Sequence, residues 1–185
     1  PTLTGNLLTS GYAEGVSVSG DYAYVADGND GLQIIDISTP TNPTLTATYN
    51  TSGDARGVSV SGNYAYVADY TAGLQIIDIS DPSSPTLTGT LNTSGNAVGV
   101  TVSGNYAYVA DGIDGLQIID ISDPYAPTLT GTYNTSEPRG VTVNGNYAYV
   151  ADFYEGLQII DISDPSNPTW TATYNTSGSA LGVSV

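Results

Sequence analysis

Apolar and polar positions in this chain alternate in short runs, and each run stops at a glycine, a proline or a small polar residue. Tyr64-Ala-Tyr-Val-Ala-Asp69 has a period of two. It places Tyr64, Tyr66 and Ala68 on one face and Ala65, Val67 and Asp69 on the other, which is the signature of a β-strand. After three variable residues comes Gly73-Leu-Gln-Ile-Ile-Asp-Ile-Ser80. This run is apolar on both faces, so it reads as a strand covered from both sides. Upstream stands Gly57-Val-Ser-Val60, short and β-branched. Downstream stands Pro85-Thr-Leu-Thr88, a strand opened by a residue without a backbone donor and therefore suited to a sheet edge. Ser61-Gly62 separates the first two strands, with Asn144-Gly145 in its place in the fourth copy. A glycine-ended pair between strand-like runs predicts a two-residue hairpin, and Asn-Gly favours type I′. No stretch has helical periodicity.

The pattern repeats. The Tyr-Ala-Tyr-Val-Ala-Asp run starts at Tyr22, Tyr64, Tyr106 and Tyr147, at spacings of 42, 42 and 41 residues. Four strands in a repeat of this length predict an all-β fold, a β-propeller built from four-stranded antiparallel blades. The glycine-led strand belongs near the crowded axis and the proline-led strand at the outer edge. A parallel β-helix is the alternative, but its coils are usually shorter and lack paired hairpins. The 185 residues form a single repeat domain, with repeats at 15–56, 57–98, 99–139 and 140–181 and half a blade over at the ends. The chain holds five glycine-led and five proline-led runs but four of each middle run. Neither a four-blade nor a five-blade ring uses that count cleanly. The expectation is therefore a segment of a longer repeat array, or one subunit of a ring or filament.

The residues Gly-Leu-Gln-Ile-Ile-Asp-Ile-Ser-Asp-Pro, following Tyr-Ala-Tyr-Val-Ala-Asp, resemble the LVIVD repeat of bacterial and archaeal secreted proteins. The resemblance spans the whole chain and implies a β-propeller. It implies little about activity, because that family is mostly surface or secreted proteins without an assigned one.

Composition narrows the function classes. Eighteen carboxylates face two cations, Arg56 and Arg139, for a net charge of −16, and there is no Lys, His, Cys or Met. Nucleic acid is excluded as a partner, since phosphate binding needs Lys and Arg. No apolar run approaches the length of a membrane span. An acid–base site would have to rest on carboxylates alone, with no histidine, cysteine or lysine to serve as base or nucleophile. The expectation is a protein that is not an enzyme. The abundance of Thr, Ser, Asn, Gly and Tyr, with no Lys, suits an extracellular or cell-surface location.

Some positions invite a specific role. Asp27 and Asp36 and their copies recur in every repeat, as a scaffold residue does and a single active site does not; they are read as acceptors for turn backbone donors. Tyr22, Tyr24 and their copies, eight of the 15 tyrosines, are read as packing between blades. Calcium is weighed at Asp27-Gly-Asn-Asp30 and Asp111-Gly-Ile-Asp114, where oxygen ligands are closely spaced; the other two copies do not match, and no cofactor is assigned. Asn50, Asn92, Asn134 and Asn175 each open an N-glycosylation pattern. The variable stretches lie before the inner strand and between the second and third strands, which places them on one face of the disc. That face, with Arg56, Tyr70, Arg139, Phe153 and Tyr154, is the candidate binding surface for a glycan or protein partner. Self-association or pairing with flanking repeats is the leading expectation.

Overall fold

The computed structural model describes residues 3–185. Four antiparallel sheets follow one another along the chain. Blade 1 contains β1 (Gly15–Ser19), β2 (Tyr22–Ala26), β3 (Leu32–Asp36) and β4 (Thr44–Tyr49). Blade 2 contains β5 (Gly57–Ser61), β6 (Tyr64–Ala68), β7 (Leu74–Asp78) and β8 (Thr86–Leu91). Blade 3 contains β9 (Gly99–Ser103), β10 (Tyr106–Ala110), β11 (Leu116–Asp120) and β12 (Thr128–Tyr133). Blade 4 contains β13 (Pro138–Asn144), β14 (Tyr147–Asp152), β15 (Gly156–Asp161) and β16 (Thr169–Tyr174). In each sheet the strands lie in chain order, inner to outer. The four-stranded blades anticipated from the repeat are present.

The hairpin turn differs from the expectation. Ser19 pairs with Tyr22 as the last rung of the ladder, so the two-residue loop is Gly20-Asp21 and not Ser19-Gly20. The corresponding loops begin at Gly62, Gly104 and Gly145. Positive φ occurs at the glycine, +57° at Gly20, but not at the residue after it. A glycine at the first central position with a normal φ at the second is the II′ arrangement, not I′. In the fourth copy Asn144 is the last strand residue, and its side chain is not part of the turn's backbone geometry.

Blades stack face to face, and the core is the set of seams between them. Tyr24, Ala26, Leu32 and Ile34 of blade 1 pack on Val58, Ala65, Val67, Ile77 and Ile79 of blade 2. The same seam recurs between blades 2 and 3 and between blades 3 and 4. Tyrosine lies within these seams, as anticipated, for Tyr22, Tyr24 and their copies in blades 2 and 3; the blade 4 copies Tyr147 and Tyr149 lie in no seam, and Tyr147 is exposed. Side by side at the axis stand β1 with β5, β5 with β9, and β9 with β13. Glycine begins β1, β5 and β9 and stands third in β13 because the backbones nearly touch there: a Cβ on Gly15 would lie 2.8 Å from the carbonyl oxygen of Arg56.

The arc does not close. No comparable packing returns from β13 to β1, and no core seam joins blade 4 to blade 1. The succession of inner glycines shows the same thing. Gly15 approaches Gly57, Gly57 approaches Gly99, Gly99 approaches Gly140 and Gly140 approaches Gly182, while Gly182 faces open space. Residues 178–185 thus occupy the inner position of a next blade without forming a strand. At the other end, Gly5 packs on the Pro40 carbonyl and Pro43 as Gly89 packs on Pro124 and Pro127. Residues 3–9 therefore take the outer position of a preceding blade, also without strand pairing. Pro1 and Thr2, which open the first of the five proline-led runs, lie outside the described residues.

Candidate functional site

The two variable stretches come together, and the link crosses from blade to blade. Gly28 pairs with Ala55, and Tyr70 with Ala97, through reciprocal backbone hydrogen bonds of 3.0 Å. The loops after β2 and β6 are tied in this way to the loops before β5 and β9. At Gly112 the partner position is Pro138, which has no N–H to donate. There residues 112–114 close on themselves in a 3-10 turn.

Both arginines sit on this face and both are already engaged. The Arg56 guanidinium donates to Glu14 at 2.7 and 3.0 Å and to Asp54, and its carbon lies 5.1 Å from the centre of the Tyr70 ring. Burial pulls the Arg56 pKa down, but hydrogen bonds and charge from Glu14 and Asp54 outweigh it and hold the group above its ordinary value. Arg139 pairs with Glu137 and lies 5.4 Å from the centre of the Phe153 ring. Cation–π stacking fixes each guanidinium over its aromatic. With each arginine matched by carboxylates, the described residues of this face offer no unpaired cation to an anionic ligand. Phe153 and Tyr154 meet edge to face at 4.9 Å, and Tyr154 is 70% exposed. Tyr70 has φ +48°, among the described residues the sole non-glycine in the left-handed region, where blades 1 and 3 have Gly28 and Gly112. A tyrosine held there costs about 1–2 kcal/mol. The structure brings Arg56 to Tyr70 and Arg139 to Phe153 and Tyr154; the two clusters belong to blades 2 and 4 and do not meet.

The recurring aspartates are structural clasps between blades. Asp69 is fully buried and accepts from Thr51 Oγ1 at 2.6 Å and from the Gly53 amide at 2.8 Å, both in the loop that leaves blade 1. Thr9 and Gly11 serve Asp27 in this way, and Thr93 and Gly95 serve Asp111. In the fourth copy one residue is missing from the loop. There the Glu137 amide reaches Asp152 at 2.8 Å, and the buried Thr135 hydroxyl has no partner. That loop is the origin of the 41-residue spacing. Burial pushes Asp69 and Asp111 up from the ordinary carboxylate value, against the lowering effect of their threonine and glycine donors. Asp36 and its copies do the second job read from the sequence, accepting from the amides of Ser38, Ser80, Ser122 and Ser163 in the proline-rich turn. The threonine half of the clasp is masked in the sequence by the Asn-Thr-Ser glycosylation pattern that contains it. The invariance of Thr51, Thr93 and Thr135 across copies was the available signal. Asn50, Asn92, Asn134 and Asn175 themselves are all exposed.

Other candidates are weaker. Asp27 is occupied by Thr9 and Gly11, and Asp30 accepts from Ser10. Among the described residues no group of three or more acidic side chains gathers to hold a metal. A cleft of about 160 Å³ between Leu91-Asn-Thr-Ser94 and Gln117 with Leu129 is smaller than the ~300–1,000 Å³ of ordinary small-molecule sites. Among the described residues no helix is long and apolar enough to cross a membrane.

A model of the LVIVD repeat matches residues 10–51, 52–93, 94–135 and 137–176. No curated protein matches the chain. Many solved structures are similar, and three illustrate the likeness. The computationally designed Ika8 protein matches with a TM-score of 0.71 at 10% identity, over 92% of this chain and 51% of that one. A functionally unknown protein from Desulfotomaculum acetoxidans DSM 771 matches at 0.74 and 18% identity, over 89% and 56%. The Cps50 (Swd1) β-propeller domain from Myceliophteria thermophila matches at 0.72 and 15% identity, over 96% and 60%. The chain thus spans about half the length of the first two. Likenesses at this level of identity bear on the fold alone.

Proposed function

Because the chain belongs to the LVIVD repeat family, we propose that it is a non-enzymatic extracellular structural or interaction protein, whose blades assemble into a ring, a filament or a longer surface array. The observation that carries this reading is the open arc: closely similar blades stack by the same seam, and at both ends of the stack only short unpaired segments cover the seam face. Exposed sheet faces and edges favour further stacking. The recurring carboxylates are engaged in clasps and turns, which supports a scaffold role for them. The composition, rich in Thr, Ser, Asn, Gly and Tyr and without Lys, supports a location outside the cell. The test is fractionation of the source cells combined with electron microscopy of the purified protein. Recovery at the cell surface and ordered rings, filaments or sheets are expected; a cytosolic protein with no ordered assembly would refute the reading.

A second reading, a glycan- or protein-binding module, is favoured by one observation. Tyr70 is kept in a strained backbone conformation where two sister blades use glycine. Strain held by a non-glycine residue points to a use for its side chain. Tyr70→Gly combined with Phe153→Ala and Tyr154→Ala removes the aromatics. Loss of binding on a glycan array, with the fold retained, would favour this reading; binding unchanged by the triple variant would remove it.

A further inference from the structure

The two ends of the arc carry the two halves of a junction that the chain itself makes three times. At the junction of blades 3 and 4, blade 3 contributes Tyr106, Tyr108, Ala110, Leu116, Ile118 and Tyr133. The same six positions of blade 4 are Tyr147, Tyr149, Ala151, Leu157, Ile159 and Tyr174, identical in every letter. Blade 4's own contribution to that junction is Val141, Val143, Ala148, Val150, Ile160 and Ile162. The same positions of blade 1 are Val16, Val18, Ala23, Val25, Ile35 and Ile37, again without a difference. These end faces are only partly covered: Val25 and Ile35 are buried, but Val16, Val18, Tyr147 and Tyr174 are exposed. Val16 and Val18 are 65% and 61% exposed, whereas Val58 is 9%; Tyr174 is 70% exposed.

We propose that the outer face of blade 4 and the partly covered face of blade 1 are a docking pair for a second copy of this chain, joined head to tail. The inference rests on the assembly reading above and specifies its partner, its surfaces and its register. The short segments now lying over the two faces have counterparts in the incoming copy. Gly182-Val-Ser-Val185, on blade 4, is the same tetrapeptide as Gly15-Val-Ser-Val18. The β1 strand of a second copy fits the slot that residues 182–185 fill against Gly140. In return, Asn175-Thr-Ser-Gly178 of the first copy matches Asn92-Thr-Ser-Gly95, the loop that clasps Asp111. Thr176 now turns back to the Gly178 carbonyl at 2.6 Å, and Gly178 has no neighbour. On docking, Thr176 takes the place of Thr9 of the second copy and donates to its Asp27. Both displaced segments lack strand pairing, so the exchange breaks no sheet ladder. One interface with two unlike halves repeats until it closes a ring or runs on as a filament. At −16 per copy, association is opposed by like charge, and added salt strengthens it by screening.

Analytical ultracentrifugation across protein concentration and from 0.05 to about 0.5 M NaCl tests this. Wild-type protein is expected to form species heavier than the 19.0 kDa chain, more so at high salt. Val18→Asp and Tyr174→Asp each change an exposed side chain, one per face, and circular dichroism checks that the fold is kept. Each is expected to weaken association roughly tenfold or more. Mixed together, the two variants retain one good junction between them and are expected to form a dimer that grows no further. If wild type assembles but the variants assemble equally well, the head-to-tail surface is wrong while the assembly reading stands. If wild type is a 19.0 kDa monomer under all conditions, a second copy is not the occupant of these faces; the broader reading then stands or falls on its own test in cells.

Discussion

At the scale of single residues, the chain spends its buried polar groups on holding blades together. Asp111 joins two blades through Thr93 and Gly95, and the fourth copy shows what happens when the loop loses one residue. Removing the donor to a buried carboxylate costs about 1–3 kcal/mol, so Thr93→Val should lower the unfolding free energy in urea by that amount. Thr135 is buried but unpartnered, so Thr135→Val should be neutral or stabilising in the same assay. The two substitutions are chemically identical, and their difference isolates the clasp. Titration gives a second prediction. Asp69 and Asp111 are raised by burial, so they hold protons more tightly folded than unfolded. The stability they contribute is full below the unfolded value near 3.9 and declines as pH rises through the folded one. Asp36, Asp78, Asp120 and Asp161 are lowered by hydrogen bonds from the serine two residues on. Their contribution is present above that unfolded value and lost only as pH falls beneath it. The melting temperature should therefore rise as pH is lowered from 7 toward the unfolded carboxylate value. In the double variant Asp69→Asn, Asp111→Asn the rise should be smaller, which calorimetry over that range would measure.

Elements take their form from backbone crowding as much as from side-chain pattern. Gly73 has φ +72°, and a Cβ there would lie 2.3 Å from the Leu91 carbonyl oxygen and 2.5 Å from the Thr93 nitrogen. Gly104, in a hairpin turn at φ +58°, has nothing within 4 Å. Gly104→Ala should cost about 1 kcal/mol, the conformational penalty alone. Gly73→Ala should cost several-fold more or abolish folding, as judged by thermal melts of the two variants. The alternation of Tyr22 to Ala26 made its strand and its two faces legible from the sequence. The hairpin register was not, because Ser19-Gly20 and Gly20-Asp21 are both acceptable turn pairs by composition. The ladder of β1 on β2 settles it by pairing Ser19 with Tyr22.

For the whole molecule, each blade touches its neighbours alone, and the stack has free ends. Stability in such an array is close to a sum of blade and seam terms. Deleting residues 57–98 joins blade 1 to blade 3 through the same seam residues, so the shortened chain should fold with a lower melting temperature and an unchanged β-type circular dichroism spectrum. A protein whose blades depended on ring closure would instead lose its fold. High salt should stabilise the intact chain, since 18 carboxylates against two arginines repel one another.

The sequence by itself determined the strands, their order in the blade, the faces that meet and the aspartates that serve the scaffold. All of these follow from residue type and spacing, and a repeat states them four times over. Only the tertiary structure decided that the arc stays open, that Thr51 and Thr93 cross between blades to hold Asp69 and Asp111, and that Arg56 and Arg139 are already neutralised over Tyr70 and Phe153. Strand counting leaves closure undetermined, because closure depends on the small angle between successive blades, and no single residue encodes it. The clasps and ion pairs were hidden for a related reason: Arg56 and Glu14 stand 42 positions apart in the chain, and only the stacking of blade on blade brings them together.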